Sequence, residues 1–315
     1  MALLIGALLV LLDPTPDPGL ISSIGVNLIA SVVFALTFVI LSNWVQDRNT
    51  METINEGFAE LTDRLIQNIS QSNQLFLPHS TYPAVNPEDS FGDEYNHDVT
   101  MSLEQSGFFA FHGPSARYVA TRLRKARRHP QQIRIAMISP ANKRAISRRA
   151  FDRASWLKSK GQPAETIEQE LENELLMNVV SLFDCRRLCP IEILYTDDTA
   201  VYRYVMFDQS VYISWYHSPQ SSQMEMPESY QFGGESFIYS TLRMDLMRKF
   251  EISLAKVTFE ATQDDGFLID HLEQLVGRDI TAEDLNKWRV QYHVDSAGFA
   301  SYLDVVYRNL TDRKS

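Results

Sequence analysis

A run of 22 residues without a charged side chain, from Leu20 to Leu41, constrains this chain more than any other feature. As a helix with a rise of about 1.5 Å per residue, such a run crosses a hydrocarbon layer about 30 Å thick. A buried helix of a globular core is the alternative, but uncharged stretches of this length are rare there. The sequence therefore predicts a membrane span over residues 20–41.

A second apolar run, residues 1–12, lies before the predicted span. Residues 13–19 separate the two with three prolines and two aspartates, and proline cannot continue a helix. The first run is too short for a straight span, so it fits a tilted, re-entrant or interfacial helix as well as one arm of a helical hairpin. Residues 1–43 are assigned to this membrane segment.

The charges on either side of the span predict its orientation. The connection before it is acidic, whereas Arg48 and Arg64 follow it. By the positive-inside rule, residues 44–315 then lie in the cytoplasm. The CxxxC spacing of Cys185 and Cys189, without a second pair, forms neither a zinc motif nor a disulfide framework, which agrees with a reducing compartment.

An amphipathic stalk helix is predicted within residues 44–75, because apolar residues recur at steps of three and four from Met51 to Ile69. Such a seam either pairs with copies of itself, giving a dimer or higher oligomer, or packs on its own domain. Residues 76–100 lack periodicity and are rich in Ser, Asn, Pro and Asp, so they are predicted to be a linker.

From residue 101 onward, alternating patterns predict an α/β domain. Residues 107–113 and 132–140 are typical of strands, and residues 114–129 between them of a helix whose start is marked by Pro114 and Ser115. This is a β-α-β unit with a parallel pair. A basic helical stretch, an acidic amphipathic helix at 165–184 and a strand at 190–196 follow.

Residues 201–217 predict two strands joined by a two-residue turn, and their spacing resembles a known signature. Phospholipase-D-like domains carry HxKxxxxD followed, six residues after the Asp, by GSxN. When Asp208 is aligned with the motif Asp, the His, Lys, Gly, Ser and Asn positions hold Val201, Arg203, Ser214, Trp215 and His217. With the β-α-β unit before it and a helix at 234–250 after it, the segment 101–252 is similar to a phospholipase-D-like domain of a degenerate branch.

The resemblance implies a mixed sheet flanked by helices, and its departures imply binding without cleavage. In the family the His attacks phosphorus and the Lys holds the phosphate oxygens. Valine cannot act as a nucleophile, whereas Arg203 can still bind phosphate through two parallel hydrogen bonds. No second HxK occurs in the sequence, although the family's active site needs two. An enzyme is therefore the less favoured interpretation, and we expect no catalytic residue, metal or cofactor.

The residues expected to bind an anionic phosphorylated ligand are Ser115, Arg117, Arg203, Asp208 and His217. Ser115 and Arg117 belong to this set because a Gly-Pro turn at a helix start presents amides to an anion, with a simply capped helix as the alternative. The segment from Arg117 to Lys160 holds 14 Lys or Arg and one acid, so it carries +13 against −24 for the remainder. Arg144, Arg148 and Arg149 could converge on the same ligand, or form a solvated face.

Residues 253–315 are predicted to form a small helical appendage, with helix starts at Thr281 and Ser296. Three functions remain open. The first is a membrane-anchored, inactive phospholipase-D-like protein that binds a phosphate-bearing ligand or partner and signals to the membrane; bacterial proteins of this layout, held in the inner membrane, resemble defence or stress effectors. The second is a phosphodiesterase or lipid hydrolase with an atypical nucleophile such as His217, and the third is a scaffold that docks a soluble partner.

We expect the full chain to remain in the membrane pellet after carbonate extraction, because an uncharged span is most stable in lipid. Deletion of residues 1–43 should move the protein to the soluble fraction, measured by ultracentrifugation and immunoblotting. Release of the full chain by carbonate would contradict the membrane span.

Overall fold

The computed structural model describes the backbone of residues 20–44, 75–85, 93–156, 164–197, 202–216 and 227–312. The chain divides into two compact units, Met1–Gln71 and Ser72–Ser315. The hypotheses on the first apolar run, on the stalk seam from Met51 to Ile69, and on Val201 and His217 concern residues outside the described ranges.

In the first unit, the described residues form helix α1, Leu20–Trp44, which is 25 residues long. Among the described residues, no helix combines the length and the apolar character that a membrane crossing needs. The helix at this position is confirmed, and the membrane anchor stays a prediction.

The described part of the second unit is built on a mixed sheet of eight strands. They are β1 (Ser80–Tyr82), β2 (Phe108–His112), β3 (Gln132–Ile138), β4 (Ile191–Thr196), β5 (Tyr202–Phe207), β6 (Ser210–Trp215), β7 (Ser229–Gly233) and β8 (Lys256–Phe259). Their order is β1-β7-β6-β5-β2-β3-β4-β8. Strands β2, β3 and β4 are parallel, whereas the other neighbours pair antiparallel. The predicted β-α-β unit and the predicted hairpin are both confirmed.

Helices cover both faces of this sheet. They are α2 (Asp93–Gln105), α3 (Val119–Lys125), α4 (Lys143–Trp156), α5 (Ala164–Asp184), α6 (Phe237–Ile252), α7 (Asp265–Val276) and α8 (Ala282–Asp312). Phe109 and Phe111 of β2 face the core formed with α2 to α5, α7 and α8, whereas Phe108 and Ala110 face the core formed with α6. Burial on both faces explains why β2 is apolar from Phe108 to Phe111.

Residues 76–100, predicted as a linker, contribute two elements to the domain. Strand β1 pairs with β7, and α2 starts at Asp93 and buries Val99 completely. These two elements were not recognised in the sequence because their polar residues form hydrogen bonds within the domain. The Tyr82 side chain is 4% exposed, and its hydroxyl donates to the carboxylate of Asp98 at 2.6 Å. The polar residues of this segment therefore form hydrogen bonds between elements and do not indicate a loop.

Within residues 253–315, predicted as an appendage, the described part, 253–312, contributes to the same sheet and core. Strand β8 pairs with β4, and Leu285 and Tyr292 of α8 join the main core. The start predicted at Thr281 is confirmed, since its Oγ1 accepts from the N–H of Asp284 and its own N–H donates to the Asp284 carboxylate. The start predicted at Ser296 is wrong, because α8 continues through this buried residue to Asp312.

Several cations of the basic segment pair with acids of neighbouring elements. Lys125 lies 2.6 Å from Asp304 of α8, and Arg134 lies 2.7 Å from Glu192 of β4. Lys143 pairs with Glu172 of α5. These ion pairs therefore join a basic part of the sequence to acidic residues of elements that are distant in sequence.

The buried imidazole of His271 predicts a pH dependence of folding. Its Nε2 lies 2.8 Å from the Tyr195 hydroxyl, and burial lowers its pKa. Because the unfolded imidazole titrates near 6.5, the unfolded state takes up the proton first as the pH falls, and the free energy of unfolding should decline below about pH 6.5. His271→Gln should remove that part of the decline in urea unfolding at pH 7.5 and 5.5, whereas exposed His129→Gln should not. Equal pH dependence in wild type and His271→Gln would refute this role.

Candidate functional site

The turn of the hairpin is fixed to the start of β2 by Asp208. Its Oδ2 accepts from the N–H of Gly107 at 2.7 Å, from the Ser106 hydroxyl at 3.0 Å and from the N–H of Phe108 at 3.3 Å. The hydroxyl of Tyr239 in α6 donates to the Asp208 carbonyl at 2.6 Å. The structure thus places Asp208 where it joins three elements, and its carboxylate is already engaged by protein donors.

Arg203 lies at the opposite end of the same strand, about 16 Å along the extended chain. It pairs with Ser214 across the hairpin, and its Nε lies 3.4 Å from the Ser214 hydroxyl. Ser214 Oγ is 2.6 Å from Ser229 Oγ, and Ser229 donates to the carbonyl of Pro227. We call Arg203, Ser214 and Ser229 the hairpin edge. The Ser214 hydroxyl contacts the half-buried Arg203 side chain at Nε.

The chain approaches Arg203 closely at Gly113. A Cβ on Gly113 would lie 3.0 Å from the Cβ of Arg203 and 2.9 Å from Cζ of Phe111, so a larger residue would displace the strand ends. The N–H of Gly113 donates to the carbonyl of Ala136 at 3.1 Å. The hairpin edge therefore lies at the carboxyl ends of the parallel strands, where open α/β sheets bind ligands.

His112 packs on the other face of the sheet. Its ring stacks on Tyr204 at 5.0 Å with an interplanar angle of 11°, and Tyr202 lies 5.7 Å from it. It is 8% exposed. His112 is thus a buried side chain packed against two tyrosines.

Ser115 does not begin the following helix. Helix α3 begins at Val119 after Tyr118, without a side-chain cap, and it has 7 residues. The Ser115 hydroxyl donates instead to Glu174 of α5 at 2.8 Å, which joins the loop to that helix. Prediction of a cap at Ser115 was wrong because this partner is distant in sequence.

Arg117 lines a cavity that does not include Arg203 in its wall. The exposed Arg117 guanidinium lies 5.1 Å from the ring centre of Tyr118 and lines a polar cavity between α5 and α8. Arg144 and Arg148 are exposed on α4. Within the described ranges, no three His, Cys, Asp or Glu side chains could together hold a metal ion.

The cavity was not predicted from the sequence. It has a volume of about 520 Å³, and its buried wall includes Asn178, Trp288 and Tyr292. One signal was available, since Asn178 interrupts the apolar run LLMNVVSLF of α5. A polar residue in a helix face that should pack on a neighbour indicates water or ligand at that position.

Comparison with known proteins gives little further information. No family model matches the chain, and no curated protein matches it. Among solved structures, TrmBL2, an archaeal chromatin protein with a novel mode of DNA binding, aligns over 69% of this chain and 68% of its own. The identity is 9% and the TM-score 0.29, a likeness too low to support an argument about fold or function.

Asp208→Ala should destabilise the domain by about 2–3 kcal/mol, because the donors at Ser106, Gly107 and Phe108 lose a charged acceptor. Asp208→Asn, which keeps one acceptor oxygen, should lose less. Urea unfolding of both variants measures the difference. If Asp208→Ala abolished ligand binding while the free energy of unfolding stayed unchanged, Asp208 would be a binding residue rather than a structural one.

Proposed function

We propose that this chain is a membrane-anchored binding protein whose phospholipase-D-like domain recognises a phosphate-bearing ligand at the hairpin edge. The observation that carries the proposal is the position of Arg203. It lies beside the Ser214 and Ser229 hydroxyls, at the carboxyl edge of the parallel strands, in a hairpin that turns at Asp208.

The architecture supports the phospholipase-D-like assignment. A mixed sheet with helices on both faces carries the motif segment as a strand, a turn and a strand, and helix α6 follows it. The β-α-β unit of β2 and β3 precedes it in the same sheet. The resemblance to phospholipase-D-like domains implies these same neighbouring elements around the HxKxxxxD signature.

The chemistry of the hairpin edge suits a phosphate oxyanion. A guanidinium offers two parallel N–H donors to phosphate, and each charge-assisted contact contributes about 1.5–3 kcal/mol. The buried hydroxyls of Ser214 and Ser229 hold the Arg203 side chain in position, since Nε of Arg203 lies 3.4 Å from the Ser214 hydroxyl, which lies 2.6 Å from that of Ser229.

The proposed anchor is the uncharged run from Leu20 to Leu41. Helix α1 has no acidic residue in its first turn and no basic residue in its last turn. Cys185 and Cys189 are free thiols buried in the second unit, in agreement with a cytoplasmic position of residues 44–315. Ligand binding would then be transmitted to the membrane segment through the self-associating stalk. This route is the signalling part of the proposal.

Arg203→Ala should weaken binding of glycerol 3-phosphate by roughly 10- to 150-fold, the loss of one charge-assisted contact. Arg203→Lys should keep part of the affinity, because lysine retains the charge but not the two-pronged geometry. Isothermal titration of the full chain in detergent measures both. Exposed Arg248→Ala on α6 is the matched control for loss of one arginine.

Turnover assays separate this proposal from its alternatives. If the protein hydrolyses bis(p-nitrophenyl) phosphate and His217→Ala abolishes this activity, the protein is a phosphodiesterase and the binding-only proposal is wrong. A protein that neither binds glycerol 3-phosphate nor hydrolyses the diester would fit the docking scaffold, and the phosphate site at Arg203 would be refuted.

A further inference from the structure

The polar cavity between α5 and α8 is distinct in its lining from the hairpin edge, since Arg203 is not part of its wall. Helices that pack along their length normally meet through apolar side chains spaced at three and four residues. Here the facing positions of α5 are Glu170, Asn173, Glu174, Met177 and Asn178. Those of α8 are Asp284, Lys287, Trp288, Gln291, Tyr292, Asp295 and Ser296. Two mainly polar stripes thus face each other, and the space between them is open.

The floor of the cavity contains an unsatisfied amide. Asn178 is 1% exposed, and its Nδ2 has no hydrogen-bond partner among the described residues. An unpaired buried amide costs about 1–3 kcal/mol. A group that enters the cavity and accepts this hydrogen bond would recover that free energy.

A second donor lies close to the floor. Trp288 of the cavity wall is 7% exposed, and within the described part of the chain its indole N–H has no acceptor. By contrast, the Tyr292 hydroxyl is already engaged, since it donates to the carbonyl of Arg117 at 2.9 Å and lies 3.0 Å from the Thr121 hydroxyl. The buried wall therefore includes two N–H donors, the Asn178 amide and the Trp288 indole.

Cationic side chains surround the opening. Arg153 and Lys287 make no ion pair with any residue that the structure describes. Three of the four acids of the wall are occupied: Glu174 accepts from Ser115, Asp284 from Thr281, and Asp295 from Gln291. Bonding to Thr281 also lowers the pKa of Asp284. Glu170 remains as an acceptor for a hydroxyl or amino group.

We propose that this cavity is a second ligand site, which binds a small organic anion that also carries hydroxyl or amino groups. The anionic group pairs with Lys287 and Arg153, the acceptor atoms of the ligand face Asn178 and Trp288, and its donors face Glu170. A volume of about 520 Å³ lies within the range of about 300–1,000 Å³ that is typical of small-molecule sites. The proposal does not depend on a phosphate site at Arg203.

The anionic group could be a phosphate or a carboxylate, and matched probes distinguish them. Glycerol 3-phosphate and glycerate share a hydroxylated body and differ in the anion, whereas glycerol has none. Thermal unfolding of the full chain in detergent, at constant ionic strength, should show stabilisation by at least one of the two anions and none by glycerol. No stabilisation by either anion at 10 mM would overturn the proposal.

Two variants locate the effect in the cavity. Asn178→Leu replaces the unpaired amide by an apolar group of similar size, so it should raise the unfolding midpoint without ligand and abolish the ligand-dependent shift. Lys287→Ala should leave the ligand-free midpoint unchanged and weaken binding roughly fivefold. Arg248→Ala should change neither.

Three results would overturn the cavity site. One is a lower midpoint in Asn178→Leu together with an unchanged ligand-dependent shift, which would make Asn178 a structural residue. Another is an unchanged affinity in Lys287→Ala. The third is a shift that disappears in Arg203→Ala but persists in both cavity variants, which would place the only binding at the hairpin edge.

Discussion

The structure of the second unit depends on the carboxylate of Asp208. Strands β2 and β5 are the junction between the parallel and the antiparallel halves of the sheet. Asp208 binds the start of β2 from the turn after β5, and Tyr239 of α6 binds the Asp208 carbonyl. One turn thereby fixes the register of the junction and the position of a helix. Because a shift of one residue would reverse the faces of the strand, the location of Arg203 at the far end follows from this contact.

Charged side chains also hold the elements of the second unit together, either through ion pairs or through a buried arginine. Four cations of the basic segment, Arg124, Lys125, Arg134 and Lys143, pair with acids of α5, β4 and α8. Arg122 differs, since it is 7% exposed and burial lowers its pKa. Its guanidinium donates to Thr100 Oγ1 at 3.0 Å and to Asn96, and lies 5.3 Å from the ring centre of Phe299. Neutral acceptors and an aromatic ring hold α2, α3 and α8 together around a buried cation.

The two candidate sites differ in the physical reason for their existence. The hairpin edge lies at the carboxyl ends of the parallel strands, with Arg203 half-buried beside the buried hydroxyls of Ser214 and Ser229, and Gly113 allows the loop to pass close to Arg203. The cavity is open because two helices meet through polar stripes. A sheet edge of this kind suits an anion bound at the surface, whereas a cavity with a buried amide suits a small molecule that is largely enclosed.

Sequence alone determined the elements whose pattern is local. The strands at 132–138 and 191–196, the hairpin around Asp208 and the capping box of Thr281 with Asp284 were all predicted, because apolar runs, turn residues and helix caps act over a few residues. Only tertiary structure decided the partners: Ser115 donates to Glu174 rather than capping a helix, Tyr82 places a polar stretch in the sheet, and Asn178 meets α8 across a cavity. These contacts join residues that are far apart in sequence, so their energies depend on the three-dimensional arrangement and leave no periodic pattern in the chain.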